Sequence, residues 1–180
     1  MRTCRAGAAG KLTVVLATLV LLAGCGASGP SPRTWAASVC SALTPWRAEI
    51  SKLTNSTNEQ MTAQTTPAQA KENLVRLFGG AEQASEEARR KVEQAGVPTV
   101  ESGAEISAGF RASLASMRDA YGRARSTIDG LGTGEAGAFY DGVRAAVTTL
   151  QADYDASALD TSRLSSEELR RAFDEVPECR

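Results

Sequence analysis

Apolar residues recur every three or four positions from about residue 32 to residue 176, which is the spacing of one face of an α-helix. No stretch alternates apolar and polar residues over β-branched positions, as a half-buried strand would. A length of 180 residues favours a single domain. The pattern therefore predicts an all-α fold, namely an up-down-up-down four-helix bundle with a short C-terminal fifth helix.

Start and stop signals divide this periodic part into five predicted helices. Capping boxes mark three starts, and Gly96 followed by Pro98 marks one end. A kink or short break is expected at Pro45, because proline has no N–H to donate to the carbonyl of Ser41. The polar residues 54–66 are predicted to be a loop. The predicted helices cover about residues 32–54, 67–95, 103–130 and 134–157, with capping boxes at Thr66, Ser102 and Ser165 and a fifth helix that Pro177 ends.

The first 25 residues have the features of an export signal. Arg2, Arg5 and Lys11 form a positively charged start, and a largely apolar run of twelve residues follows at 12–23. As a helix this run is about 18 Å long, which is well short of the ~30 Å hydrocarbon core of a bilayer. The segment is therefore predicted to be a secretory signal peptide rather than a membrane-spanning helix.

The apolar run ends in Leu22-Ala23-Gly24-Cys25, and this tetrad resembles the lipobox of bacterial lipoproteins. The resemblance implies cleavage between Gly24 and Cys25 and a lipid on the Cys25 sulfur, with acyl chains such as palmitate. The Ala-, Gly- and Arg-rich composition also resembles lipoproteins of actinobacteria. The alternative is an ordinary signal peptide that ends in an incidental cysteine.

These features predict three segments and a location. Residues 1–24 are the signal peptide, residues 25–33 are the lipidated cysteine with a flexible linker, and residues 34–180 are the helical bundle domain. Loss of residues 1–24 removes three basic residues and no acidic one, which leaves 17 basic and 21 acidic residues, a net charge of −4. Anionic membrane lipids do not attract an acidic domain electrostatically. The covalent lipid on Cys25 must therefore hold the domain at the extracytoplasmic side of the cell membrane.

Two of the four cysteines remain available for a disulfide. Cys4 leaves with the signal peptide and Cys25 carries the lipid, so Cys40 and Cys179 are left in an oxidising compartment. We predict a Cys40–Cys179 disulfide, and the alternative is a pair of unpaired buried thiols. A zinc site is disfavoured, because two cysteines without histidine cannot supply four soft ligands.

The chain contains no histidine, which excludes Ser-His and Cys-His catalysis and every His-ligated metal site. A formal net charge of −1 without a basic block argues against a nucleic-acid partner. We therefore predict no catalytic residue, no cofactor and no metal. A hydrolase that uses carboxylates alone is the less favoured alternative, since no motif selects a pair among 21 acidic residues.

Two short motifs resemble ligand sites but lack the required context. Residues 132–137 match G-x-G-x-x-G, yet a helix precedes them where the dinucleotide motif needs a strand, so a loop between helices is predicted. Asp153-Tyr154-Asp155 begins like a calcium loop. Ala158 and Leu164 stand where that loop needs glycine and glutamate, so a solvated helix face is predicted instead.

The second and fourth predicted helices each have residues that are expected to be exposed and residues that are expected to be buried. The run 86–91 is predicted to be a solvated helix face with Glu86–Arg90 and Glu87–Lys91 ion pairs, and a coiled-coil contact with another helix is the alternative. The fourth helix is expected to bury Phe139, Val143, Ala146 or Val147, Leu150 and Tyr154.

Tyr140 and Arg144 lie one turn apart and off the buried stripe of the fourth helix. Exposed tyrosine and arginine are common at interfaces, so the pair is a candidate interaction surface. A tyrosine that packs at the edge of the bundle is the alternative.

The sequence as a whole predicts a membrane-anchored, non-catalytic binding or interaction module whose partner is an unknown envelope protein or ligand. The alternative function is a small-ligand carrier with its site inside the bundle.

Overall fold

A computed structural model describes residues 29–157 and 166–180 of the chain. Gly24, Cys25 and Ser165 lie outside these ranges. The described residues form helices and no strand, so the all-α prediction is confirmed for them. The elements are α1 Pro32–Gln60, α2 Pro67–Gln94, α3 Gly103–Asp129, α4 Ala136–Ser157 and α5 Glu167–Glu175, followed by a 3-10 helix at Pro177–Cys179.

Side-chain caps start α1, α2 and α5. The Ser31 hydroxyl accepts the Thr34 N–H at 3.2 Å, and Pro32 occupies the first turn of α1. The predicted capping box at Thr66 is confirmed, because Thr66 and Gln69 each accept the backbone N–H of the other. In α5 the cap is Ser166, whose hydroxyl accepts the Leu169 N–H at 3.3 Å.

The predicted capping box at Ser102 is wrong. Ser102 has a φ of 57°, in the left-handed region, and its side chain makes no cap hydrogen bond. The turn before α3 is tight instead, since a Cβ at Gly103 would lie 2.1 Å from the Pro98 carbonyl oxygen. Close backbone packing therefore determines where α3 begins.

Helix α1 is longer than predicted. It continues through Pro45 to Gln60, so both the expected short break and the loop at 54–60 are wrong. Packing against α2 spans the proline: the Trp46 indole N–H donates to the Ser85 hydroxyl at 3.0 Å, and Leu53 lies over Gly80. Ahead of the proline, Val39 belongs to the same core cluster as Val92 of α2, so packing holds α1 on both sides of the missing hydrogen bond.

Successive helices pack as neighbours. Helix α2 contacts α1 and α3, α4 packs on α3 and slightly on α2, and α5 with the 3-10 helix packs on α1. Helices α1 and α4 have at most marginal contact, so the contact that would close a ring of four helices is weak in the described residues. One side of α4 is consequently left without a packing partner among residues 29–157 and 166–180.

A well-buried aromatic cluster fills the end of the molecule where α1 begins. Trp35 meets Phe110 edge-on at 5.3 Å between ring centroids, and Phe110 stacks on Phe173 of α5 at 5.9 Å. The Trp35 indole N–H donates to the Gly96 carbonyl at 3.0 Å. Leu169 of α5 is also fully buried in this cluster. This end of the core is closed by α5.

The cluster at the opposite end is more open. Its buried part consists of Phe78, Ala81, Tyr121, Ala124, Ile128 and Ala146. The large aliphatic side chains around it stay half-buried, including Ile50, Leu74, Leu77, Val143 and Leu150. We call this group the lower cluster, and it is the part of the core that α1 and α4 fail to enclose together.

Cys40 and Cys179 lie at disulfide-bonding distance, with their Cα atoms 5.0 Å apart, as the cysteine count predicts. The bond ties the C-terminal 3-10 helix to α1, and the Thr44 hydroxyl donates to the Glu178 carbonyl beside it at 3.3 Å. Among the helices described, none is both long enough and apolar enough to cross a bilayer.

Candidate functional site

Helix α4 carries an exposed apolar stripe. Of its 22 residues only Phe139 and Ala146 are buried. Tyr140, Val147 and Tyr154 are 38%, 43% and 37% exposed, and their spacing of seven residues places them on one face. We call these three residues the α4 stripe.

The contacts of α4 with α3 and the preceding loop lie on one side of the helix. The Glu135 carboxylate accepts the Ala138 N–H at 2.8 Å and caps the first turn. Gly142 lets Leu131 approach so closely that a Cβ would lie 2.6 Å from its methyl carbon. Near the other end, Arg123 of α3 pairs with Asp153 at 2.8 Å. The α4 stripe is therefore presented by a helix that is fixed in place.

The stripe continues inward to the lower cluster. Val143 and Leu150 of α4 pack against this cluster. Within it, Tyr121 of α3 stacks on Phe78 with ring centroids 6.4 Å apart. Burial raises the pKa of the Tyr121 phenol above its ordinary value, and the nearby Tyr154 adds to that shift. The apolar surface thus extends from the exposed helix to half-buried core residues.

Two predictions for α4 need correction. Val147 and Tyr154 were expected to be buried, but both are exposed, because α4 has at most marginal contact with α1 in the described residues. Tyr140 lies in the stripe and meets Phe139 edge-on at 5.0 Å. Arg144 lies nearer the solvent, where its guanidinium donates to Asp141 at 2.8 Å. The seven-residue spacing of Val147 and Tyr154 places them on one face of the helix, but it does not reveal whether another helix covers that face.

The charged run on α2 contains the predicted ion pairs. Arg90 contacts Glu86 at 3.4 Å and Lys91 contacts Glu87 at 2.8 Å, so both pairs are confirmed. Glu86 also binds Arg89 at 2.9 Å and Arg118 of α3 at 2.8 Å. The helix that this run contacts is therefore α3 of the same chain.

Ion pairs continue along the α2–α3 seam. Arg111, Arg118 and Arg125 of α3 lie seven residues apart, which is the coiled-coil spacing. They contact Glu93, Glu86 and Glu82 of α2 at 3.5, 2.8 and 2.9 Å, in antiparallel order. These charges fix the register of two neighbouring helices rather than forming an open acidic or basic site.

Glu86 is the carboxyl group whose pKa is moved furthest among the described residues. Hydrogen bonds from Arg89, and next from Arg118, lower its pKa to about 2. A general acid needs a pKa raised towards the working pH. The environment of Glu86 therefore favours a structural ion pair over proton transfer.

A groove lies between α1, α2 and the C-terminal residues. This groove of about 750 Å³ has a floor of small residues such as Ala37 and Ser41, with Lys91 and Glu178 at its edges. Lys91 is already paired with Glu87. Arg33, which also lines the groove, is paired with Glu175 at 3.4 Å.

Within the described residues, the first short motif begins in the loop between α3 and α4, and the second lies in α4. Residues 132–137 include the loop between α3 and α4, and a Cβ at Gly132 or Gly134 would meet no atom within 4 Å, so the loop does not form a tight cradle. Asp153 pairs with Arg123, whereas Asp155 accepts from Gln151 at 2.9 Å. No group of three potential metal ligands occurs in the described ranges, and Ala158 and Leu164 lie outside them.

Comparison with known proteins adds no relative, since no family model, no curated protein and no solved structure matches this chain. Function must therefore be inferred from the chain's own residues. The described residues form an all-α domain. One face of α4 is apolar and exposed, and the end of the core that contains the disulfide is closed.

Proposed function

We propose that the protein is an exported lipoprotein whose helical domain is a non-catalytic binding module on the extracytoplasmic side of the cell membrane. The lipobox-like tetrad that ends at Cys25 supports the anchor. The pairing of Cys40 with Cys179 supports an oxidising compartment. Together they favour a location where the domain meets other envelope proteins.

The observation that carries the binding role is the α4 stripe. Large apolar side chains on a fixed helix, continuous with a half-buried core, mark interaction sites more often than chance exposure does. Residues at positions i, i+7 and i+14 form the seam that one helix offers to another. The partner is therefore an amphipathic helix of an envelope protein, which packs where α1 leaves α4 uncovered.

The charge pattern of α4 agrees with an apolar partner. No charged residue occurs between Arg144 and Asp153, so eight consecutive residues around Val147 are neutral. The affinity should come from apolar burial, while Arg144 and Asp153 at the ends of this span influence orientation and association rate.

Site-specific photocrosslinking in native membranes tests this proposal. A photoreactive amino acid at Val147 is expected to give one adduct of defined mass, and the double variant Tyr140→Ser/Tyr154→Ser should remove it. The control position is Ala152, which is exposed on the same helix outside the stripe. Equal adducts from both positions, or no adduct at 147, would contradict a specific partner at the stripe.

A small-ligand carrier is the second candidate, and the half-buried residues of the lower cluster favour it. An apolar ligand held among these helices would cover Leu77 and Leu150 without any protein partner. Native mass spectrometry distinguishes the two functions. A carrier purified from its own cells retains the mass of its small ligand, whereas a module that binds only a partner protein does not.

A further inference from the structure

We propose that the end of the bundle formed by the α2–α3 loop rests on the lipid surface, with Val97 in contact with the bilayer interface. The proposal rests on the lipid anchor at Cys25 that is part of the proposed function. It adds which surface of the domain faces the membrane.

The chain that leads to the anchor is attached to this loop. The Pro30 carbonyl accepts the Thr99 backbone N–H at 3.0 Å and the Thr99 hydroxyl at 3.2 Å. Gly29 lies so close to the loop that a Cβ there would be 2.3 Å from the Val97 carbonyl oxygen. The tether therefore leaves the folded domain beside Val97 and nowhere else.

The remaining tether is short. Four residue steps separate Cys25 from Gly29, and a fully extended chain covers about 14 Å in four steps. A lipidated Cys25 sits at the membrane surface, so the α2–α3 loop stays within that distance of the lipid headgroups. The 28 residues of α2 measure about 42 Å, so the α1–α2 loop at its other end lies well beyond the reach of the tether.

The surface beside the tether suits a weak, apolar lipid contact. Val97 is 45% exposed, the largest exposed fraction among the large apolar residues of the described ranges. Glu101 and Glu105 are exposed nearby in sequence, so anionic headgroups contribute no attraction here. The lipid anchor supplies the affinity, and Val97 sets the orientation.

This orientation determines how a partner reaches the α4 stripe. Helix α4 starts next to the end of α3, at the end of the bundle opposite the α2–α3 loop. Tyr140, near the N-terminus of α4, is therefore the residue of the stripe farthest from the bilayer. A partner helix would lie along α4, with Tyr154 at the end of the contact nearer the membrane.

Fluorescence quenching on vesicles tests the orientation. The lipidated variant V97C, labelled with an environment-sensitive fluorophore, is bound to phosphatidylcholine–phosphatidylglycerol vesicles that carry a headgroup quencher. The control is A63C, in the exposed α1–α2 loop. The disulfide and the lipid occupy the native sulfurs, so each variant has one reactive thiol. We expect several-fold stronger quenching at 97 than at 63, with emission at 97 shifted to shorter wavelength.

Equal or reversed quenching, or an unshifted emission at 97, would overturn the lipid contact. The variant C25S, produced without residues 1–24 so that no uncleaved apolar segment remains, separates this failure from failure of the anchor. If C25S and the unsubstituted chain bind vesicles equally well, the lipid anchor is wrong and the orientation falls with it. If only C25S fails to bind and the two labels are quenched alike, the anchor stands and the orientation alone is wrong.

Discussion

Glu86 shows how a single side chain can link two neighbouring helices, here α2 and α3. Its carboxylate accepts hydrogen bonds from Arg89 on its own helix and from Arg118 on α3, and this lowers its pKa to about 2. Because the pKa is lower in the folded than in the unfolded chain, the contribution to stability is complete above the unfolded value near 4.5. It is lost as the pH falls towards 2.

The variant Glu86→Gln should therefore be less stable than the wild type at pH 7, and the difference should shrink between pH 5 and pH 2. Urea unfolding at a series of pH values measures the free energy of unfolding for both chains. Glu72→Gln, at an exposed position of the same helix, is the control and should show a much flatter difference. A pH-independent effect of Glu86→Gln would contradict the ion pair.

Individual core residues were predictable from spacing, while the capping of α3 was not. Trp35, Val39 and Phe110 fall on helical apolar stripes, and each is buried. Ser102 carries the sequence signature of a cap but adopts a left-handed φ of 57°. That conformation depends on how Pro98 packs against Gly103, a contact that no local pattern reveals.

At the scale of the element, α3 contains two glycines with opposite requirements. A Cβ at Gly103 would lie 2.1 Å from a backbone oxygen of Pro98, whereas a Cβ at Gly109 would meet nothing within 4 Å. Backbone cannot move aside as a flexible side chain can. In open helical positions alanine is preferred over glycine.

We expect Gly103→Ala to lower the free energy of unfolding by about 1–3 kcal/mol, since the backbone must shift to admit a methyl group. The matched change Gly109→Ala should raise it by up to ~1 kcal/mol. Chemical denaturation of both variants checks the two signs. A neutral or stabilising Gly103→Ala would contradict the close packing at the start of α3.

Helices α1 and α4 show where pattern reading fails at this scale. The polar residues 54–60 resemble a loop, yet they continue α1 while Leu53 packs over Gly80 and Thr57 is buried. The positions of Val147 and Tyr154 have the helical spacing of core residues. Whether such a stripe is buried depends on which helix lies opposite, and sequence periodicity does not contain that information.

At the scale of the whole molecule, the disulfide and α5 close one end of the core. Leu169 is fully buried, and Phe173 packs with Trp35 and Phe110. The link from Cys40 to Cys179 spans 139 residues. In the chain-entropy description, closing a loop of that length lowers the entropy of the unfolded chain and raises the free energy of unfolding by about 5 kcal/mol.

The double variant Cys40→Ser/Cys179→Ser should be less stable by up to about 5 kcal/mol, because the unfolded chain is no longer restricted. Hydrogen exchange should show the largest loss of protection in α5, whose packing is mainly on α1. Exchange in the α2–α3 pair, which is joined by several ion pairs, should change least. Uniform loss of protection would contradict a locally closed end.

The intact mass of the protein purified from its native membranes tests the tethered module most directly. The expected product lacks residues 1–24, carries a lipid mass on Cys25, and has two hydrogens fewer than the dithiol form. A product that retains Met1, or that has an unmodified Cys25, would contradict the anchor and with it the proposed location of the binding surface.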